Sequence, residues 1–299
     1  MKRLMPGCAV AALTAALLPV AGKAAENGNT QYSPGSSGFY SGAIPPVQGL
    51  YALSQTSYYS ADRLTDDNGD RLPVSFGADV KVETLRLLGV TGWEAAGGKV
   101  WWQLVMPVIL DMDISAGSHG GSTSGLSDVL VAGGLAWHSG AHTYVFGIDV
   151  ALPTGDYDPG RLANAGLNHW SIQPTFGYHY LDVTDPAWEV AIGVRYLKNF
   201  ENSDTDYTSG DELVIDYAAG YNFGSFRAAV SGYLLEQLTD DEGPNVASDG
   251  NRGKGVAIGP SLNYTFANHA LLGISWQKEI ETESRPQGDT WQISFATRF

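Results

Sequence analysis

Arg195 and Asp216 are the residues whose types and spacing most invite a chemical reading. They fall on consecutive alternating runs and could face each other. A facing cation and carboxylate can form a constriction that selects what passes. They can equally belong to a paired network that fills a narrow space. The same period-2 pattern turns Asp79, Lys81, Glu83, Asp128, Asp149, His169, Gln173, His179, Glu189, Glu212, Arg227 and Gln292 to that side. Trp101 and Tyr233 join them, whereas Trp102, Tyr217, Tyr221 and Trp276 point the other way. An apolar molecule could stack on Trp101 and Tyr233. His169 and His179 share a face, but along a strand they stand roughly 33 Å apart at about 3.3 Å per residue, too far to share a metal ion. The pattern forces no Ser–His pairing, so no catalytic group is assigned and no enzyme is expected. Asp66-Asp67-Asn68-Gly69-Asp70 begins like a calcium loop but lacks the spacing and the bidentate glutamate that complete one. It reads as a polar turn, and the acidic stretch Thr239–Glu242 as a solvated loop. No cofactor or metal is expected.

The elements that position these residues are strands. Apolar and polar residues alternate for 10 to 14 residues, then Gly, Asp, Asn or Pro break the run. In Asp211–Phe223, Leu213, Ile215, Tyr217, Ala219, Tyr221 and Phe223 oppose Glu212, Val214, Asp216, Ala218, Gly220 and Asn222. Twelve runs can be counted, near 47–60, 74–91, 99–113, 126–138, 142–154, 168–180, 187–200, 211–223, 225–237, 254–266, 269–281 and 289–299. The second changes phase near Thr84, as a bulge would make it do. Pro174 and Pro260 each cost a ladder hydrogen bond.

Short joins (Glu94–Gly98, Ser139–Ala141, Leu181–Pro186, Gly224, Ala267–Asn268) alternate with mostly longer polar ones (Ala61–Pro73, Ile114–Gly125, Gly155–Leu167, Glu201–Gly210, Leu238–Gly253, Thr282–Gly288). That is the pattern of periplasmic turns and external loops in a transmembrane barrel. Runs this long suit a tilted membrane crossing better than a sandwich, whose strands are near 5–6 residues. Asp, Glu, Arg and His on the polar faces could not lie unpaired in a sandwich core. The expected fold is therefore all-β, an antiparallel transmembrane β-barrel of about twelve strands in the bacterial outer membrane.

Residues 1–24 read as a signal peptide: Lys2 and Arg3, the apolar stretch Cys8–Val20, then small residues before a cut after Ala24. Its removal takes away Cys8, the single cysteine, and leaves 14 basic against 32 acidic side chains, a net −18. Nucleic acid is excluded as a partner, since phosphate contacts need clustered Lys and Arg. Residues 25–46, rich in Gly, Ser, Pro and Asn, read as an irregular periplasmic arm that could partly plug the barrel formed by 47–299. The last run, Trp291–Phe299, alternates Trp291, Ile293, Phe295 and terminal Phe299. It resembles the C-terminal strand of outer-membrane proteins, which implies recognition by the barrel-assembly machinery through Phe299. Lipid and lipopolysaccharide are the expected surroundings.

Six segments spread along the chain carry a closer resemblance. They are Tyr32–Gly35, Ala151–Pro159, Asn164–Trp170, Asn199–Glu212, Gly232–Gln237 and Ala257–Pro260. With these the chain resembles the outer-membrane meta-pathway phenol-degradation family. The resemblance implies a twelve-strand, pore-like protein that takes up hydrophobic aromatic molecules, and it implies no catalytic residues. The expected function is a channel for passive uptake of small hydrophobic or aromatic compounds. Asp128, Asp149, His169, Gln173, Glu189, Arg195, Glu212, Asp216, Arg227, Trp101 and Tyr233 are the lumen candidates. A general small-solute porin, a barrel enzyme acting on lipid and a structural or adhesive barrel stay open at this point. They differ in permeant preference, in lipid turnover and in the absence of both.

Overall fold

The computed structural model describes residues 26–182, 187–244 and 246–299. The signal segment, 1–24, lies outside them. Alternating side chains need a wall with two different faces, and a closed sheet supplies it without leaving an edge. Strand pairing is antiparallel throughout. The strands are β1 (Gly49–Leu64), β2 (Phe76–Ala95), β3 (Gly98–Ala116), β4 (His119–Leu126), β5 (Val129–Ser139), β6 (His142–Leu152) and β7 (Ser171–Leu181), followed by β8 (Ala187–Asn199), β9 (Glu212–Phe223), β10 (Phe226–Gln237), β11 (Lys254–Thr265), β12 (Leu271–Glu283) and β13 (Pro286–Arg298). Each pairs with its chain neighbours, β1 with β13, and β3 with both β2 and β5, so that all except β4 close a twelve-stranded barrel.

β4 folds back on the upper half of β3 and pairs with nothing else. Its segment, HGGSTSGL, lies within a stretch read from the sequence as a long loop. It has no apolar alternation because neither of its faces is buried. The join Thr282–Gly288 also differs from expectation. β12 and β13 continue over polar residues to a tight turn at Ser284 and Arg285, with Ser284 at φ 53°.

The phase change expected near Thr84 in β2 does not occur there. Ala78, Val80, Val82 and Arg86 all line the inside. The bulge is in β3, where pairing steps from Lys81↔Asp111 to Val82↔Ile109 and Leu110 has no partner. Ile109 and Met112, three apart, are therefore both buried. Asp79, Lys81 and Glu83, expected to face the lumen, face outward. Asp79 accepts from the Tyr58 hydroxyl at 2.6 Å, and Glu83 from Ser54 and Thr56 at 2.6 Å each. β1, β2 and β3 are the longest strands, at 16, 20 and 19 residues against 11 in β6, and these outward charges lie on the upper part of that tall wall. At the prolines the ladder lapses on one side only. Pairs are missing between Ile172↔Lys198 and Thr175↔Arg195, and between Ile258↔Lys278 and Ser261↔Ser275.

The outer wall is apolar, with Phe146, Ile148, Phe176, Leu262, Ile293 and Phe295 exposed. Aromatic clusters gather near the short turns. One joins Trp188, Tyr221 and Phe223, and another Phe226, Tyr264 and Phe266. Such girdles mark the interfacial edge of a lipid-facing band.

Residues 26–46 lie inside the barrel. They contain two single turns of 3-10 helix, Glu26–Gly28 and Gly38–Tyr40. Glu26 sits among the long loops, bonded to Tyr157 at 3.0 Å and Asn202 at 2.8 Å. The chain then descends through the lumen towards the short-turn end, where β1 starts. Of the two places open to a periplasmic arm that could plug the barrel, the described residues occupy the lumen.

Candidate permeation pathway

The lumen residues arise from one local rule: every second residue of each strand faces the arm. Asp216 of β9 is its main anchor. It accepts from the Tyr32 hydroxyl at 2.5 Å, from the Gly35 amide at 2.8 Å and from the Ser37 amide at 3.1 Å. Glu212, two periods of the alternation away, accepts from Thr30 at 2.7 Å. Asp128, in the break between β4 and β5, accepts from Gln31 at 3.1 Å and from the amides of Gly155 and Leu167 at 2.9 and 2.7 Å. It ties the β6–β7 loop to the arm. Close approach also needs small residues. Gly42 has φ +66°, and a Cβ there would lie 2.7 Å from the Tyr178 amide nitrogen.

Arg195 and Asp216 do not pair with each other. Arg195 stands opposite Val214, and Gly193 opposite Asp216. Arg195 reaches instead across β7 to Asp149 of β6, with Gln173 Oε1 accepting at 2.9 Å. Its guanidinium carbon lies 4.2 Å from the Tyr32 ring centroid, so the arm's tyrosine touches both charged centres. Nearer the short turns, Glu189 accepts from His179 at 2.9 Å and Arg227 at 2.8 Å. His169 lies at the opposite end, where its carbonyl accepts from Gln31 at 2.9 Å. Burial holds its imidazole below the usual histidine range, against opposing attraction from Asp128 and Glu26. Among the described residues no cluster of His, Cys, Asp or Glu is placed to hold a metal ion. Asp66 folds its loop by accepting from the amides of Asn68 and Asp70.

Two chambers flank Tyr32. On the long-loop side is a cavity of about 320 Å³ between the arm and the β1–β3 wall, with Val80, Val82, Ile109, Met112, Ile114 and Leu130 among its lining. Tyr233 lines its edge and donates to Glu279. Below is a smaller chamber of about 90 Å³ bordered by Arg86, Trp101, Asp149, Arg195 and Asp216. Of the eleven lumen candidates, ten are buried and Arg195 is half-buried. Arg86, Glu279 and Gln277, equally inward, were not anticipated. For Arg86 the signal was present: Arg86, Leu88 and Val90 alternate in phase with Ala78, Val80 and Val82. The charged run Asp79–Glu83 concealed it.

The solved structure of the "COG4313 outer membrane channel from Pseudomonas putida F1" overlays with a TM-score of 0.77 at 17% identity, covering 90% of this chain and all of that one. The β domain of the Bordetella autotransporter BrkA and the NanC porin overlay more loosely, at TM-scores of 0.49 and 0.46. They share 13% identity each, cover 85% and 83% of this chain and all of their own, and add nothing to the argument. No curated protein matches the sequence. The family described as "Putative MetA-pathway of phenol degradation" matches residues 61–295. The chain therefore belongs to this phenol-degradation family, and its fold is the β-barrel of the solved channel.

Proposed function

We propose that the protein is a channel in the bacterial outer membrane for passive uptake of small hydrophobic or aromatic compounds, without catalytic activity. The apolar cavity of about 320 Å³ at the long-loop end carries this reading. A pore for hydrated solutes has a polar interior. Here Val80, Val82, Ile109, Met112 and Ile114 are turned inward while the charged residues between them on β2 face out. That reversal exposes apolar surface inside the barrel, where only an apolar occupant benefits from it. Permeants would leave the chamber past Tyr32, so the arm sets the narrowest passage. The outward apolar wall would meet lipid and lipopolysaccharide, and Phe299, exposed at the end of β13, would be presented to the assembly machinery.

The test is flux into proteoliposomes of the refolded mature chain with lipopolysaccharide in the outer leaflet, comparing toluene with a sugar of similar size. Selective acceleration of toluene is expected. Equal acceleration of both would make the protein a general porin. Acceleration of neither, from a barrel shown folded by its heat-modifiable gel migration, would overturn transport.

A further inference from the structure

We infer that the small chamber below Tyr32 is a carboxylate-binding site and that the permeant is an apolar or aromatic acid, with Arg86 its charge partner. This rests on the uptake reading and names the substrate class.

The chamber's two cations, Arg86 and Arg195, balance its two carboxylates, Asp149 and Asp216, in formal charge, but its hydrogen bonds do not balance. Arg195 is paired with Asp149. Asp216 is occupied by three donors from the arm, Tyr32, Gly35 and Ser37. Arg86 makes no hydrogen bond or ion pair among the described residues, and its Nε is buried without a partner. Two further donors on the chamber wall are buried and unpartnered, the Trp101 indole N–H and the Ser41 hydroxyl. The one unpartnered acceptor there is Oδ1 of Asp149, on a carboxylate already neutralised by Arg195. A half-buried cation whose Nε is enclosed, and buried donors without partners, are costly to keep, and a group that supplies negative oxygens satisfies them together.

The shape selects among anions. A guanidinium offers parallel N–H donors that match a planar carboxylate. The remaining wall includes Ile44, Val145, Val214 and Trp101, and the volume of about 90 Å³ suits a small aryl or alkyl group beside the carboxylate. A molecule crossing the apolar chamber first, then Tyr32, meets Arg86 with its polar end. The strongly acidic exterior makes such a fixed internal cation the feature that lets an anion dwell inside.

The test is titration of benzoate and of its neutral near-isostere, benzyl alcohol, into the mature chain in lipid nanodiscs. Wild-type protein should bind benzoate about tenfold tighter or more, the scale of a charge-assisted hydrogen bond. Arg86→Gln should abolish that preference and leave benzyl alcohol unchanged, and Arg86→Lys should restore part of it. Equal binding of the two ligands, binding of neither, or a preference that survives Arg86→Gln would overturn the inference. If Arg86→Gln does not fold, Trp101→Phe removes one donor without altering charge. It should weaken benzoate by several-fold and benzyl alcohol by less, and unchanged benzoate binding in that variant would overturn the site. Toluene flux separates the two readings. Accelerated toluene without benzoate preference sinks only the acid site, whereas tight benzoate with no accelerated flux sinks uptake.

Discussion

Arg195 serves two neighbours at once: it neutralises Asp149 and lies against the ring of Tyr32. The first role is structural. Truncation to alanine leaves Asp149, only 2% exposed, without its ion-pair partner, at a cost of up to about 3–5 kcal/mol. Arg195→Ala should therefore lower the temperature at which the barrel loses its compact gel migration. A change in permeant selectivity without that loss would instead mark Arg195 as a selecting constriction. His169 makes a different prediction. Its folded-state affinity for a proton lies below that of the unfolded chain because burial disfavours the charged ring. Its contribution to stability is complete above the unfolded value near 6.5 and is lost as pH falls through the lower folded value. Thermal melts should show destabilisation on acidification from pH 6.5, reduced in His169→Gln.

At the scale of elements, the arm and β3 decide what the barrel can hold. A plain barrel of period-2 strands would have a polar lumen throughout. The bulge at Leu110 turns Met112 and Ile114 inward beside Ile109, and β2 supplies the facing valines. The arm closes the chamber and divides it from the one below. Its seat depends on Gly42, whose left-handed φ of +66° and contact with the Tyr178 backbone leave no room for a side chain. Gly42→Ala should lift the arm from β7 while the wall strands stay paired. Faster proteolytic cleavage within residues 26–46 and raised ion conductance in planar bilayers are expected. Unchanged cleavage and conductance would show that the Asp216 contacts alone hold the arm.

At the scale of the molecule, an inside and an outside of opposite polarity follow from alternation alone, since successive side chains of any strand point to opposite faces. That local rule is why β-barrel architecture, the inward direction of Asp149, Glu189, Asp216 and Arg227, and the outward direction of Trp276 were legible in the sequence. It fails where locality fails. β4 pairs without an apolar face to announce it, and a bulge in β3 shifts the meaning of every later residue on that strand. The charges at Asp79, Lys81 and Glu83 read as lumenal because polar was taken to mean inward, which holds only within the lipid-facing band. The arm's position rests on contacts such as Gly35 with Asp216, 181 residues apart, which no spacing encodes. Arg86 as a cation without a hydrogen-bond partner is still less visible, because that is known only once the partners of Asp149, Arg195 and Asp216 are known. By itself the sequence determined the strands and their two faces; the tertiary structure decided what fills the barrel and which donors lack a partner, because both are sums over contacts between distant parts of the chain.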